Sequence, residues 1–277
     1  MKMSENSKKT AKTKAPKKSL PIINWKTVEY VVLLLIWVAV AMTISQYIIG
    51  LPMMWILDSK FSQPFWTCIY YGLTYILSLI LVIIVPPKVI NKLKTRANAK
   101  SNKKSQSIPQ FTNLPDFTTS REELGLKDLP TVIDVGLAPV SYVVYLVLSG
   151  IFTSIMSAFT WFNAEETQDV GFGYFITTGD RVVAMIALVF IAPIAEEIIM
   201  RGWLYGKLRE KLKIPVAMLL TSLLFGFLHG QWNVSVGVFA LSLVLCGLRE
   251  ITGTIWSGML LHMLSNGIAF YLLYIAI

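Results

Sequence analysis

Charge is scarce in this 277-residue chain, with Asp, Glu, Lys and Arg making up 15% against 55% hydrophobic residues. Soluble domains carry about a quarter of their residues charged, so a water-exposed globule is excluded. Cysteine is scarcer still. Cys68 and Cys246 are the only two, each inside an apolar run and neither in a CxxC. That excludes a disulfide framework and a cysteine-based metal or redox centre, and leaves both as small apolar residues in helices. Histidine occurs twice, at His229 and His262, and no HExxH exists, so the zincin arrangement is excluded. No internal repeat is found, and no small-residue cleavage pattern follows the N-terminal basic stretch, so no cleavable signal is expected.

What the chain does have is apolar runs of membrane-spanning length. Its net charge of +9 sits at the ends of these runs. That pattern reads as topogenic charge for a lipid bilayer, with no nucleic-acid partner. The fold class that follows is all-α, a polytopic membrane bundle of about seven transmembrane helices.

Residues 1–28 form a disordered basic cytoplasmic tail, with eight lysines and one glutamate before residue 27. Residues 29–87 supply two transmembrane helices, the second stopping at Pro86-Pro87. Residues 88–130 are a cytoplasmic loop holding nine basic and four acidic side chains. Lys100 to Ser107 is a low-complexity linker, and Ser120 with Glu123 predicts a capped, short surface helix. Residues 131–277 form the core, with spans near 132–156, 182–205, 214–228, 234–248 and 254–277. The fifth and sixth are only about fifteen residues each, marginal for a crossing, and predict a hairpin buried by its neighbours. Residues 201–213 carry five basic side chains, whereas 161–180 carry four acidic and no basic ones. The positive-inside rule puts the tail, the 88–130 loop and the 201–213 connection in the cytoplasm of a multi-pass cell-membrane protein.

Most spans contain no ionisable group. The exceptions are Glu196, Glu197 and Arg201 in the fourth, His229 ending the fifth, and His262 with Asn266 in the seventh. Such groups are costly in lipid and mark function by default. Glu197 and Arg201 stand at i and i+4 and can pair as a structural brace. Glu196 is turned about 100° away, toward a cavity. His262 and Asn266 share one face, as do Phe225 and His229, with Phe225 shaping the pocket wall. A carboxylate, two imidazoles and a carboxamide suit peptide hydrolysis. Glu196 would act as base on a water oriented by His229, with His262 and Asn266 donating to the developing oxyanion. Glu250 with Arg249 reads as a solvated pair at the cytoplasmic end of the sixth span. Asp134 stands at a helix start, where the dipole favours it.

Three ordered motifs carry a resemblance. Glu196-Glu197-Ile198-Ile199-Met200-Arg201 is similar to EExxxR, Phe225 to His229 to FxxxH, and His262 to Asn266 to HxxxN. Over about residues 180–270 the chain resembles the CaaX protease and bacteriocin-processing (CPBP) family, which includes type II CaaX prenyl endopeptidases. The resemblance implies a glutamate-type intramembrane endopeptidase acting on a membrane-associated peptide or protein. Glu196 and His229 would activate water, His262 and Asn266 would form the oxyanion site, and Glu197 and Arg201 would support them. It also implies roles in bacteriocin maturation, self-immunity or peptide-pheromone processing. Family members have been called metalloproteases, and Glu196, His229 and His262 could ligate zinc; a metal-free site or a weak metal site is the preferred reading. The N-terminal 130 residues are expected to add little beyond anchoring.

Two other function classes stay open. One is a non-catalytic scaffold or immunity protein binding a toxin or sensor kinase. The other is a proton-coupled carrier, disfavoured by the absence of repeats. On straight helices His229 lies too deep to meet Glu196. The preferred resolution runs the fourth helix past a buried Arg201 toward Arg209, with the site reached from a cytoplasm-facing cavity.

Overall fold

Apolar side chains without water partners must stack into helices whose backbone bonds close internally. The computed structural model describes residues 24–56, 63–101, 117–166 and 177–276. Within them seven continuous helices form and no strand does. They are α1 (Trp25–Ile56), α2 (63–101), α3 (Val132–Met156), α4 (Thr178–Arg209), α5 (Ile214–Phe227), α6 (Trp232–Thr252) and α7 (Trp256–Tyr274). Most of the basic tail, nearly all of the Lys100–Ser107 linker and part of the 161–180 loop lie outside the described residues.

Five helices are long and apolar enough to cross a membrane: α1, α2, α3, α4 and α6. The sixth span is therefore longer than its sequence reading, at 21 residues. α5 stays short at 14 residues. α7 has 19 residues but carries Ser257, His262, Ser265 and Asn266 among them. Burial is inverted relative to a soluble bundle. Leu33, Ile36 and Val40 of α1 and Val140, Val143 and Val147 of α3 point outward, while Leu34, Val38, Ala41 and Ser45 line the inner face of α1. Large apolar side chains on the outside face lipid.

The expected α5–α6 hairpin forms, but it is not fully buried: Leu219, Leu223 and Phe227 are exposed on its outer side. Its crossing depends on Gly226, where an added Cβ would lie 2.8 Å from the Ser235 carbonyl oxygen. No other residue lets the two backbones approach so closely.

Successive helices alternate in direction, so the bundle has two distinct ends. One end gathers the basic connections. There Lys211 sits over the Tyr30 ring at 5.9 Å, and Arg209 Nε pairs with Glu250 Oε1 at 2.7 Å. At the other end Trp161 packs on Trp232 with centroids 5.4 Å apart. Asn233 Nδ2 donates to the Glu166 carbonyl there at 2.6 Å.

The expected surface helix near residue 120 is instead one docked turn. The capping box is present: Ser120 Oγ accepts from the Glu123 N–H at 3.1 Å, and Glu123 Oε2 accepts from the Ser120 N–H at 2.9 Å. Gly125, at φ +75°, ends the turn at once. The turn is strapped to the basic end. Arg249 Nη2 donates to the Glu123 carbonyl at 2.8 Å, the Ile255 N–H to the Gly125 carbonyl at 3.2 Å, and Lys207 Nζ to the Thr118 carbonyl at 3.0 Å. This overturns the Arg249–Glu250 pair. Arg249 holds the strap, and Glu250 takes Arg209 and the Tyr205 hydroxyl (2.8 Å). Asp134 caps α3 through Thr131 and also accepts from Ser257 Oγ, tying α3 to α7.

Candidate active site

Proline sets the local geometry of α4. Pro193 has no N–H, so it cannot close onto the Val189 carbonyl. The helix widens into a π turn over Ile186–Ile191, where the Ala192 N–H reaches back to Ala187. The Leu188 carbonyl thus loses its Ala192 partner and cannot take one from Pro193. Asn266 Nδ2 of α7 donates to it at 2.9 Å. Pro86 and Pro87 follow a like π turn, Ile80–Ile84, in α2. π turns inside helices recur at functional sites. Glu196 and Glu197 occupy the short α segment Ala192–Glu197, with a further π turn, Ile198–Leu204, beyond it.

The two glutamates diverge as their spacing predicts. Glu197 Oε1 accepts from Arg201 Nη1 at 2.8 Å, both side chains at 0% exposure. The Arg201 guanidinium carbon lies 4.4 Å from the centre of the Phe225 ring, which covers the cation's remaining face. Glu197 does more than the pairing reading assigns. Its Oε1 also meets His262 Nδ1 at 3.0 Å. A carboxylate oxygen accepts, so His262 carries its proton on Nδ1 and turns Nε2 toward Glu196, whose Oε2 lies 3.7 Å away. Glu196 Oε1 accepts a short hydrogen bond from the Tyr75 hydroxyl.

His229 is fixed in the same way. Its Nδ1 lies 2.8 Å from the Phe225 carbonyl. A carbonyl only accepts, so the proton is on Nδ1 and Nε2 is left as the base. The Phe225 ring stands edge-on between both imidazoles, with centroids 5.0 Å from His229 and 5.9 Å from His262.

Glu196, His229, His262 and Asn266 all line one cavity of about 670 Å³, with walls drawn from all seven helices. Glu197 and Arg201 are not in its lining; they pack behind it. The depth conflict resolves as preferred, because α4 runs unbroken to Arg209 with Arg201 fully buried. The lining of the cavity extends to Tyr70, Asn233 and Tyr274, in the half of the bundle away from the basic end. Trp203, Leu204 and Leu208 fill the basic end completely.

Two further points concern composition of the site. Among the described residues no three His, Cys, Asp or Glu side chains cluster as metal ligands. Glu196 Oε1 is engaged by Tyr75 and His262 Nδ1 by Glu197, which leaves Glu196 Oε2 and the Nε2 atoms of His229 and His262 as the donors turned to the cavity. The N-terminal helices are also more than anchors. Thr43 and Gln46 of α1 and Tyr71, Tyr75 and Ser78 of α2 line the cavity. Sequence reasoning missed Tyr75; the signal was Tyr70, Tyr71 and Tyr75 together in one apolar span.

Fold and site define a polytopic membrane protein with a buried carboxylate–imidazole centre. Residues 178–268, about a third of the chain, match the family model described as Type II CAAX prenyl endopeptidase Rce1-like. Over this segment the chain is similar to membrane endopeptidases of the CaaX protease kind. No curated protein and no solved structure matches the chain.

Proposed function

We propose that Glu196 and His229 activate a water for hydrolysis of a peptide bond in a membrane-associated peptide or protein, while His262 and Asn266 receive the oxyanion. The supporting observation is that these four side chains, from α4, the α5–α6 turn and α7, face a single cavity while the Glu197–Arg201 pair packs outside it. The water sits against Glu196 Oε2 and His229 Nε2. Glu196 removes its proton as the oxygen attacks the scissile carbonyl carbon. The carbonyl oxygen gains negative charge and is met by donors. Asn266 has a second N–H beyond the one spent on Leu188. His262, held by Glu197 at Nδ1, turns Nε2 toward the same oxygen. Glu196 then returns the proton to the leaving amine. No covalent intermediate and no metal enters this scheme. Its physiological setting is processing of a bacteriocin or peptide pheromone, or self-immunity.

The test uses full-length protein in liposomes with two quenched fluorogenic probes, a farnesylated CaaX peptide and an unprenylated lipid-anchored peptide. Wild type cleaves at least one, and Glu196→Ala and His229→Ala each lose cleavage by at least about a hundredfold. Full cleavage by both variants would falsify the assignment.

A further inference from the structure

The half of the bundle that the cavity occupies carries an inference about where the substrate comes from. We infer that the site is fed from the membrane face opposite the basic end, and that it serves exported or membrane-anchored peptides exposed outside the cytoplasm. The word substrate rests on the peptidase reading; the position of the cavity does not.

Three observations carry it. First, the basic end is closed. Glu196 lies 13 residues before Arg209, about 20 Å along a helix. That distance is occupied by Arg201, Trp203, Leu204, Tyr205 and Leu208, all buried, with the 117–131 strap lying over them through Leu124 and Lys207. Second, the other half is hollow. The cavity continues from Glu196 past Ser149 to Asn233 and Tyr274, all on the end-segments that lie away from Arg209. Third, the charge asymmetry is one-sided. Residues 88–130 carry nine basic side chains and 201–213 carry five, whereas 161–180 carry four acidic and none basic. Basic connections stay in the cytoplasm, so the closed end is the cytoplasmic one.

The chemistry of the wall narrows the substrate. Among the described residues lining the cavity there is no Lys, Arg or Asp, and Glu196 is the one carboxylate. Apart from the imidazoles of His229 and His262, the remaining polar groups are amides and hydroxyls, as at Gln46, Ser149 and Asn233. Such a wall hydrogen-bonds a main chain and repels buried charge. An extended, uncharged peptide segment fits it. A prenylated tail held in the cytoplasmic leaflet meets the strapped, packed end instead.

Cysteine accessibility in intact cells tests the direction. In the Cys68→Ser background, with buried Cys246 kept, single cysteines are placed at Ser149→Cys in the cavity and Lys127→Cys on the exposed strap. A membrane-impermeant maleimide should label Ser149→Cys in intact cells, and Lys127→Cys only after permeabilisation. Labelling of Ser149→Cys only after permeabilisation, or in neither state, overturns the inference. So does labelling of Lys127→Cys from outside. The same labelling in a Glu196→Gln background is expected to be unchanged, so loss of the peptidase reading leaves this result intact. For the substrate class, an uncharged quenched peptide anchored in the outer leaflet should be cleaved by right-side-out vesicles at least about tenfold faster than an inner-leaflet one. The reverse preference overturns the assignment of exported peptides.

Discussion

The hydrogen bond from Tyr75 to Glu196 is the contact whose removal is most informative, because it joins the N-terminal helices to the proposed chemistry. Tyr75→Phe deletes one oxygen and keeps the ring, which stacks on Tyr71 at 6.1 Å with the planes 22° apart. Packing is therefore conserved. What is lost is a donor on Glu196 Oε1. A hydrogen bond to a charged group contributes about 1.5–3 kcal/mol, and about 1.4 kcal/mol is tenfold in rate. If the bond holds Glu196 Oε2 on the attacking water, kcat falls about 10- to 100-fold. KM stays within about twofold, since Tyr75 orients the base and the rest of the wall binds the peptide. The assay is initial-rate kinetics on a cleaved fluorogenic peptide in liposomes, with thermal unfolding in detergent to show that the fold is kept. Unchanged kcat at unchanged stability would refute the reasoning. So would a rise in KM with kcat intact, which would make Tyr75 a binding residue.

Arg201→Met strands the Glu197 carboxylate in a site of 0% exposure, and should cost about 3–5 kcal/mol, read as a large drop in detergent unfolding temperature. The double variant with Glu197→Gln should lose distinctly less; equal losses would mean that the pair is not coupled. Gly226→Ala improves helix propensity by about 1 kcal/mol, yet places Cβ 2.8 Å from the Ser235 carbonyl oxygen, so unfolding should come earlier, and a stabilised variant would contradict the close crossing. Gly125→Ala forces a side chain into φ +75° and onto Arg249; a loss of about 1–3 kcal/mol is expected, with the strap more open to limited proteolysis. Chelation should leave cleavage rates unchanged, since the donors do not converge on a metal; reversible inhibition restored by zinc would overturn that reading.

The sequence was strongest where one physical constraint dominates. Lipid tolerates no unpaired backbone and few charges, so apolar length alone located the helices, and the few ionisable residues inside them stood out. Helical spacing then separated Glu196 from the Glu197–Arg201 pair, because side-chain direction within one helix is a local property. The spacing gave no sign that Glu197 also orients His262, or that Arg201 lies over Phe225, since those partners are on other helices. Pro193 was visible as a residue, but its consequence was not. The carbonyl it frees on Leu188 acquires meaning only when Asn266 of α7 is placed beside it.

By itself the sequence determined an all-helical membrane bundle, the few ionisable residues inside its spans, and the end at which its positive charge collects. These follow from solvation and from helix periodicity. Only the tertiary structure decided that Tyr75 reaches Glu196, that the 117–131 segment straps the basic end, and that the cavity lies in the half away from it. Contacts between helices 121 residues apart in sequence, and the void left where seven helices splay, depend on packing angles that no local pattern encodes.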